Sequence, residues 1–125
     1  YIDLRLLKLS YHHYTETAQG VKVRLVKNKN NIIQKRELIF EPYLKEIDFE
    51  QNTVMFNFNN EGSFFPLHHH IEAEWMIPVK GEIFDKFNNV LTLEGEKVSF
   101  GPMVPHELHF KEPSAILVVI NPPAF

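Results

Sequence analysis

The chain contains no cysteine among its 125 residues. Disulfides, zinc–thiolate sites and a thiol nucleophile are therefore excluded, and any metal site must draw on the seven histidines and 16 carboxylates. Long apolar runs are also missing. The longest aliphatic stretch, Ile116 to Ile120, is far short of the ~20 residues a membrane-spanning helix needs. Positive charge is scarce: 13 Lys and Arg stand against 16 Asp and Glu, a net charge of -3, so neither nucleic acid nor membrane is an expected partner. There is no low-complexity tract, internal repeat or linker. With 44% hydrophobic and 23% charged residues, the composition is that of a folded globular chain. Its length suits one domain over 1–125. No basic segment followed by an apolar stretch and a small-residue cleavage site opens the sequence, so the cytoplasm is the expected compartment.

What is present is period-two alternation. In Val21-Lys22-Val23-Arg24-Leu25 the aliphatic residues share one face and the cations the other, the pattern of a half-buried strand. The same reading predicts strands over Ile2 to Leu9, Ile32 to Phe40, Thr53 to Phe58, Glu74 to Val79, Glu82 to Phe87, Val90 to Leu93, Lys97 to Phe100, Glu107 to Phe110 and Ile116 to Ile120. Asn- and Gly-bearing segments at Asn28 to Asn31, Asn59 to Ser63, Asn88-Asn89 and Glu94 to Glu96 read as the connecting turns. Helical spacing is confined to Leu38 to Phe49, where Pro42 allows about one turn of helix. The fold class is all-β, a sandwich or barrel with little or no helix.

The informative stretch is Gly62 to Gly81, GSFFPLHHHIEAEWMIPVKG. Alternation places His68 and His70 on one face of a strand, roughly 7 Å apart, and His69 on the other. On a straight strand Glu74 would lie about 13 Å beyond His70. A reversal at Ile71 to Ala73 would bring its carboxylate back opposite the imidazoles. Such an N,N,O set suits Fe, Mn, Co, Ni, Cu or Zn. A fourth ligand is expected from GPMVPHELHF, where His106 follows Pro102 and Pro105 and His109 has the opposite parity, so His106 is the better candidate.

This stretch resembles the first motif of the cupin superfamily, G-x5-H-x-H-x3-E-x6-G, with Gly62, His68, His70, Glu74 and Gly81 each in place. GEKVSFGPMVPHELHF resembles the second motif, G-x5-P-x-G-x2-H-x3-N, less fully. Gly95 and His106 fit, whereas Gly101, Met103 and Phe110 replace its proline, second glycine and asparagine. At Met103, where the motif favours a glycine conformation, either the turn relaxes or the side chain enters the pocket. The resemblance implies a single cupin domain, a double-stranded β-helix or jelly-roll barrel. Within it, 62–120 form the metal-binding core, with His68, His70, Glu74 and His106 as ligands of one divalent transition metal. It also implies that the strands of 1–50 make homodimer contacts.

Around that centre, Phe56, Phe58, Phe65, Met76, Phe84 and Met103 are candidates to line an apolar pocket. Trp75 should point away from it. Parity turns His69 and Glu72 toward solvent, with Glu72 alternatively a partner to an imidazole N–H. His12 and His13 read as ordinary strand or dimer contacts. Tyr43, Glu72, Glu82 and His109 are possible general acids or bases, none supported by spacing. The expected function is chemistry of dioxygenase or isomerase/lyase type on a small, neutral or mildly acidic organic molecule chelated at the metal. A non-catalytic binding or sensing domain is the alternative.

Overall fold

The computed structural model describes residues 11–27 and 33–122. The strand expected over Ile2 to Leu9 and the turn at Asn28 to Asn31 lie outside the described residues. Among those described, the alternating segments form ten strands: β1 (Thr15–Glu16), β2 (Val21–Val26), β3 (Thr53–Asn59), β4 (Phe64–His68), β5 (Ala73–Lys80), β6 (Ile83–Asp85), β7 (Val90–Thr92), β8 (Val98–Phe100), β9 (His106–His109) and β10 (Ser114–Asn121). They make two sheets, one ordered β1-β2-β3-β10-β5-β8 and the other β4-β9-β6-β7, with every pairing antiparallel. The chain passes repeatedly from one sheet to the other, which gives the expected all-β jelly roll. No helix among the described residues is long and apolar enough to cross a membrane.

Strand β10 sits at the centre of the larger sheet and is buried on both faces. Ile116, Val118 and Ile120 point between the sheets with Val23, Met55, Met76 and Leu108. Ala115, Leu117 and Val119 point the other way, into a second core with Phe40, Leu44, Val54 and Phe56. A strand covered on both sides shows an unbroken apolar run rather than alternation, as Ile116 to Ile120 does.

The covering element corrects the sequence reading. The strand expected from Ile32 to Phe40 is instead the start of a 3-10 helix over Lys35–Tyr43, which also contains Pro42 and exceeds the single turn allowed further along. The cause is local. Glu37 folds back so that its carboxylate accepts the Gln34 backbone N–H at 2.8 Å, while the Glu37 N–H donates to the Gln34 carbonyl at 2.8 Å. Proline at position 42 cannot serve a ladder either. The helix inserts Phe40, whose ring stacks on Phe56 at 4.2 Å between centroids.

The helix is tied to the sheet by a buried ion pair. Arg24 on β2 donates from Nε to Glu37 Oε2 at 2.7 Å and from Nη2 to Oε1, and the Tyr14 hydroxyl donates to Oε2 at 2.6 Å. Burial alone would raise the Glu37 carboxyl. The hydrogen bonds from Arg24 and Tyr14, the Gln34 backbone bond and the Arg24 charge outweigh it and hold Glu37 below the usual carboxylate range.

Candidate metal centre

The site lies between the sheets at one end of β4, β5 and β9. Strand β4 stops at His68, and the chain turns before β5 begins at Ala73. The reversal expected at Ile71 to Ala73 is therefore present. The strand expected to carry both His68 and His70 is not: His70 lies past the end of β4 and reaches inward from the turn. His106 opens β9 as the direct cross-strand partner of His68. Glu74 comes from the opposite sheet, beside Phe100 of β8.

These four side chains converge. The rings of His68 and His106 are 4.3 Å apart, those of His70 and His106 5.4 Å, and those of His68 and His70 5.8 Å. One nitrogen from each ring can be chosen so that all three lie within 4.8 Å of one another, a spacing suited to one ion. Glu74 Oε1 stands 3.0 Å from His106 Nε2 and 3.5 Å from His70 Nε2. All four residues are buried. Phe100 stacks on His106 at 4.3 Å and fixes that ring from behind.

Each ring is also held at its far nitrogen. His68 Nδ1 meets the Pro66 carbonyl at 2.7 Å, His70 Nδ1 the Glu72 carbonyl at 2.8 Å, and His106 Nδ1 the Val104 carbonyl at 2.9 Å. A carbonyl can only accept, so the proton of a neutral ring sits on Nδ1 and the Nε2 lone pair faces the interior. Among the described residues His70 Nε2, His106 Nε2 and Glu74 Oε1 are buried without a hydrogen-bond partner. Two lone pairs and a carboxylate oxygen face one another there. That arrangement is repulsive unless positive charge stands between them, so the donor set fits a divalent cation.

Without the ion, protons on the imidazoles take over the role of the positive charge beside Glu74. Burial raises the Glu74 carboxyl, but the close approach of the His106 and His70 rings in their protonated forms outweighs it and brings the group down to about 2. Burial lowers His70, and the nearby Glu74 carboxylate, which favours a protonated ring, lifts it above the ordinary imidazole value. His68 is held below that value chiefly by burial, with the charge of His106 acting the same way.

Several expectations about the surroundings need correction. Phe56 and Phe58 do not line the site; they face the second core under the 3-10 helix. Phe84 points outward, since its neighbours Ile83 and Asp85 are the buried ones. Met103 is 49% exposed and keeps the left-handed backbone at φ 66°, so the turn persists and the side chain stays outside. Glu72 is not solvent-facing: its carboxylate is 13% exposed, and its backbone carbonyl is the group that holds His70. Tyr43 packs against the second core, Glu82 lies beyond the far end of β5, and His109 faces outward on Glu107 at 2.6 Å, which leaves all three away from the site. His12 and His13 are exposed, with their rings in contact, and His69 is half-buried. As expected, Phe65 and Met76 line the interior and Trp75 points away, under the Lys97 ammonium at 4.4 Å.

A cavity of about 420 Å³ opens beside the centre, reached by His68 and Glu74 and walled mainly by apolar side chains from both sheets. The segment Thr15 to Gln19 forms part of its rim. Asn57 also lines it, a residue the sequence reading passed over. Its phase with Met55 on β3 is the signal that would have placed it inside.

No family model matches the chain, and no curated protein does. Solved structures do. KdgF from Halomonas sp. aligns with a TM-score of 0.66 at 12% identity over 89% of this chain and 86% of its own. An RmlC-like cupin from Shewanella frigidimarina gives 0.64 at 12% identity over 88% and 83%. An acetylacetone dioxygenase from Acinetobacter johnsonii gives 0.62 at 13% identity over 91% and 71%. With the two antiparallel sheets and the histidine-lined interior between them, these likenesses show that the chain has the cupin fold.

Proposed function

We propose that the protein holds one divalent transition metal (Fe, Mn, Ni, Cu, Co or Zn) through His68, His70, His106 and Glu74 and acts there on a small organic molecule, in chemistry of dioxygenase or isomerase/lyase type. The observation that carries this reading is the set of three Nδ1–carbonyl bonds, which aim the Nε2 lone pairs at a buried carboxylate. When bound, such an ion supplies Lewis acidity, open coordination positions and, for a redox-active metal, reactivity toward dioxygen. The chain supplies the rest. The apolar walls exclude water from a bound molecule, and Phe65 and Met76 bound the space in front of the centre. Apart from His68 and Glu74, Glu16 on the rim is the one titratable residue among the described residues that line the cavity. These groups give a bound molecule one carboxylate at the rim and the metal centre at the other end, which supports chemistry centred on the metal. The dioxygenase fold neighbour is consistent with this reading.

The test is elemental analysis of the purified protein, followed by oxygen uptake and product analysis of Fe(II)-loaded protein against catechols, flavonols and diketones. One equivalent of metal, with turnover of one of these classes, is expected. Metal without turnover across metals and substrates would replace the enzyme by a binding or sensing domain, and absence of metal would remove the proposal altogether.

A further inference from the structure

Away from the rim segment Thr15 to Gln19, the cavity holds one polar side chain among the described residues that the metal reading does not use. Asn57 is 3% exposed and lines the cavity, and its side-chain oxygen has no hydrogen-bond partner among the described residues. Its position is set by β3, which turns Met55 and Asn57 inward while Val54 and Phe56 face the second core. On the larger sheet Asn57 pairs with Ile116 of β10, and Glu74 on the next strand pairs with Ile120. Two strand spacings across and four residues along place their backbones roughly 16 Å apart. Met55, Met76, Val118, Leu108 and Phe65 lie on the walls of the same space, and all are apolar.

We infer that Asn57 is the distal specificity contact of this cavity, its amide turning to bring the oxygen, enclosed where the side chain now stands, to a hydroxyl or N–H at the far end of an elongated, uncharged, largely apolar molecule. The other end of that molecule occupies the histidine centre, so the inference rests on the proposed metal site. Away from the metal, nothing among the described residues would pair with a second, anionic group, because no Lys or Arg among them lines the cavity whereas Glu16 and Glu74 do. Length follows from the separation of the two polar ends. Size follows from about 420 Å³, which at about 30 Å³ per water-sized unit is room for roughly a dozen such units. A ligand that lacks the distal donor leaves a buried oxygen unsatisfied, which is how such a group discriminates.

The experiment uses two probes, 3-hydroxyflavone and its 4'-hydroxyl derivative, titrated by fluorescence into Zn(II)-loaded protein, with zinc uptake measured separately. Wild-type protein should bind the hydroxylated probe about tenfold more tightly. Asn57→Leu should abolish that preference while taking up zinc normally, and Asn57→Asp, which keeps an acceptor oxygen in place, should retain most of it. Should Asn57→Leu fail to fold, Asn57→Ala removes the same oxygen. Equal affinities in wild type, a preference that survives in the Leu or Ala variant, or binding of neither probe would overturn the inference. Failure of wild-type protein to take up zinc would sink the metal reading instead, and the probe ratio in zinc-free protein would still judge Asn57.

Discussion

The backbone N–H of Met103 donates to the carbonyl of His70 at 2.7 Å. The loop leading to His106 is thus tied to the turn that carries His70, and Met103 takes a left-handed conformation, φ 66°, to make the bond. Two loops that carry candidate ligands, each crossing from one sheet to the other, share one anchor.

Met103→Gly should therefore be neutral or stabilising by less than about 1 kcal/mol, because relief of the left-handed strain offsets the added freedom of the unfolded chain. Met103→Val, branched at Cβ, should cost about 1–3 kcal/mol. Denaturant unfolding of both variants decides this. Equal midpoints would show that the turn carries no strain.

The two motif glycines should differ in their tolerance of alanine. Gly62 and Gly81 have φ of 78° and 81°. A Cβ at Gly62 would meet nothing within 4 Å, whereas at Gly81 it would stand 2.8 Å from Ser114 Cβ and 3.1 Å from the Pro113 carbonyl. Gly62→Ala should cost about 1–2 kcal/mol from backbone strain alone. Gly81→Ala should cost more, about 2–4 kcal/mol, since packed atoms must also move. Thermal unfolding gives the order, and a reversed order would contradict the packing described.

Acid sensitivity should arise in part from Glu37. Its carboxyl is held low in the folded chain, so its contribution is fully present above the unfolded value of about 4.3 and is lost as pH falls through the lower folded value. Glu37→Gln should cost about 3–5 kcal/mol at neutral pH by leaving the buried Arg24 charge without the carboxylate that neutralises it. It should also flatten the loss of stability below pH 4. Urea midpoints measured from pH 7 to pH 2 check both effects, and an unchanged acid slope would refute the assignment.

Ligand and support residues should separate in metal binding. His68→Ala and His106→Ala should each weaken metal binding by more than about 100-fold, since changes in supporting residues alone cost 10–100-fold. Both variants should stay folded on the remaining core. Glu72→Gln should change affinity by less than about tenfold, because the backbone carbonyl, and not the carboxylate, holds His70. Competition with a chelator of known affinity orders the three variants. A larger loss in Glu72→Gln than in His68→Ala would contradict the geometry.

Much of this was readable in the sequence because strand parity and spacing are local. His68, Glu74 and His106 could be singled out as candidates from spacing, one reversal and two prolines, and β10 from an unbroken apolar run, whereas alternation pairs His70 with His68 on a strand that ends before it. What parity cannot decide is which of two covered faces looks toward the site. Phe56 and Phe58 sit in phase, and only the 3-10 helix over Lys35–Tyr43 makes theirs the outer face. That helix was itself hidden, because its stability comes from the contacts of Glu37 with Arg24 and Gln34, and Arg24 is remote in the chain. The carbonyl of Glu72 left no trace either, as a backbone oxygen carries no residue identity.

The clamped imidazoles bear on kinetics as well as affinity. Three rings already oriented by Pro66, Glu72 and Val104 need no rotation when a cation arrives, so loading should be paced by how fast the ion sheds its own hydration shell. Ions that exchange water slowly, such as nickel, would then enter more slowly than zinc at equal concentration, whichever of them is finally held more tightly.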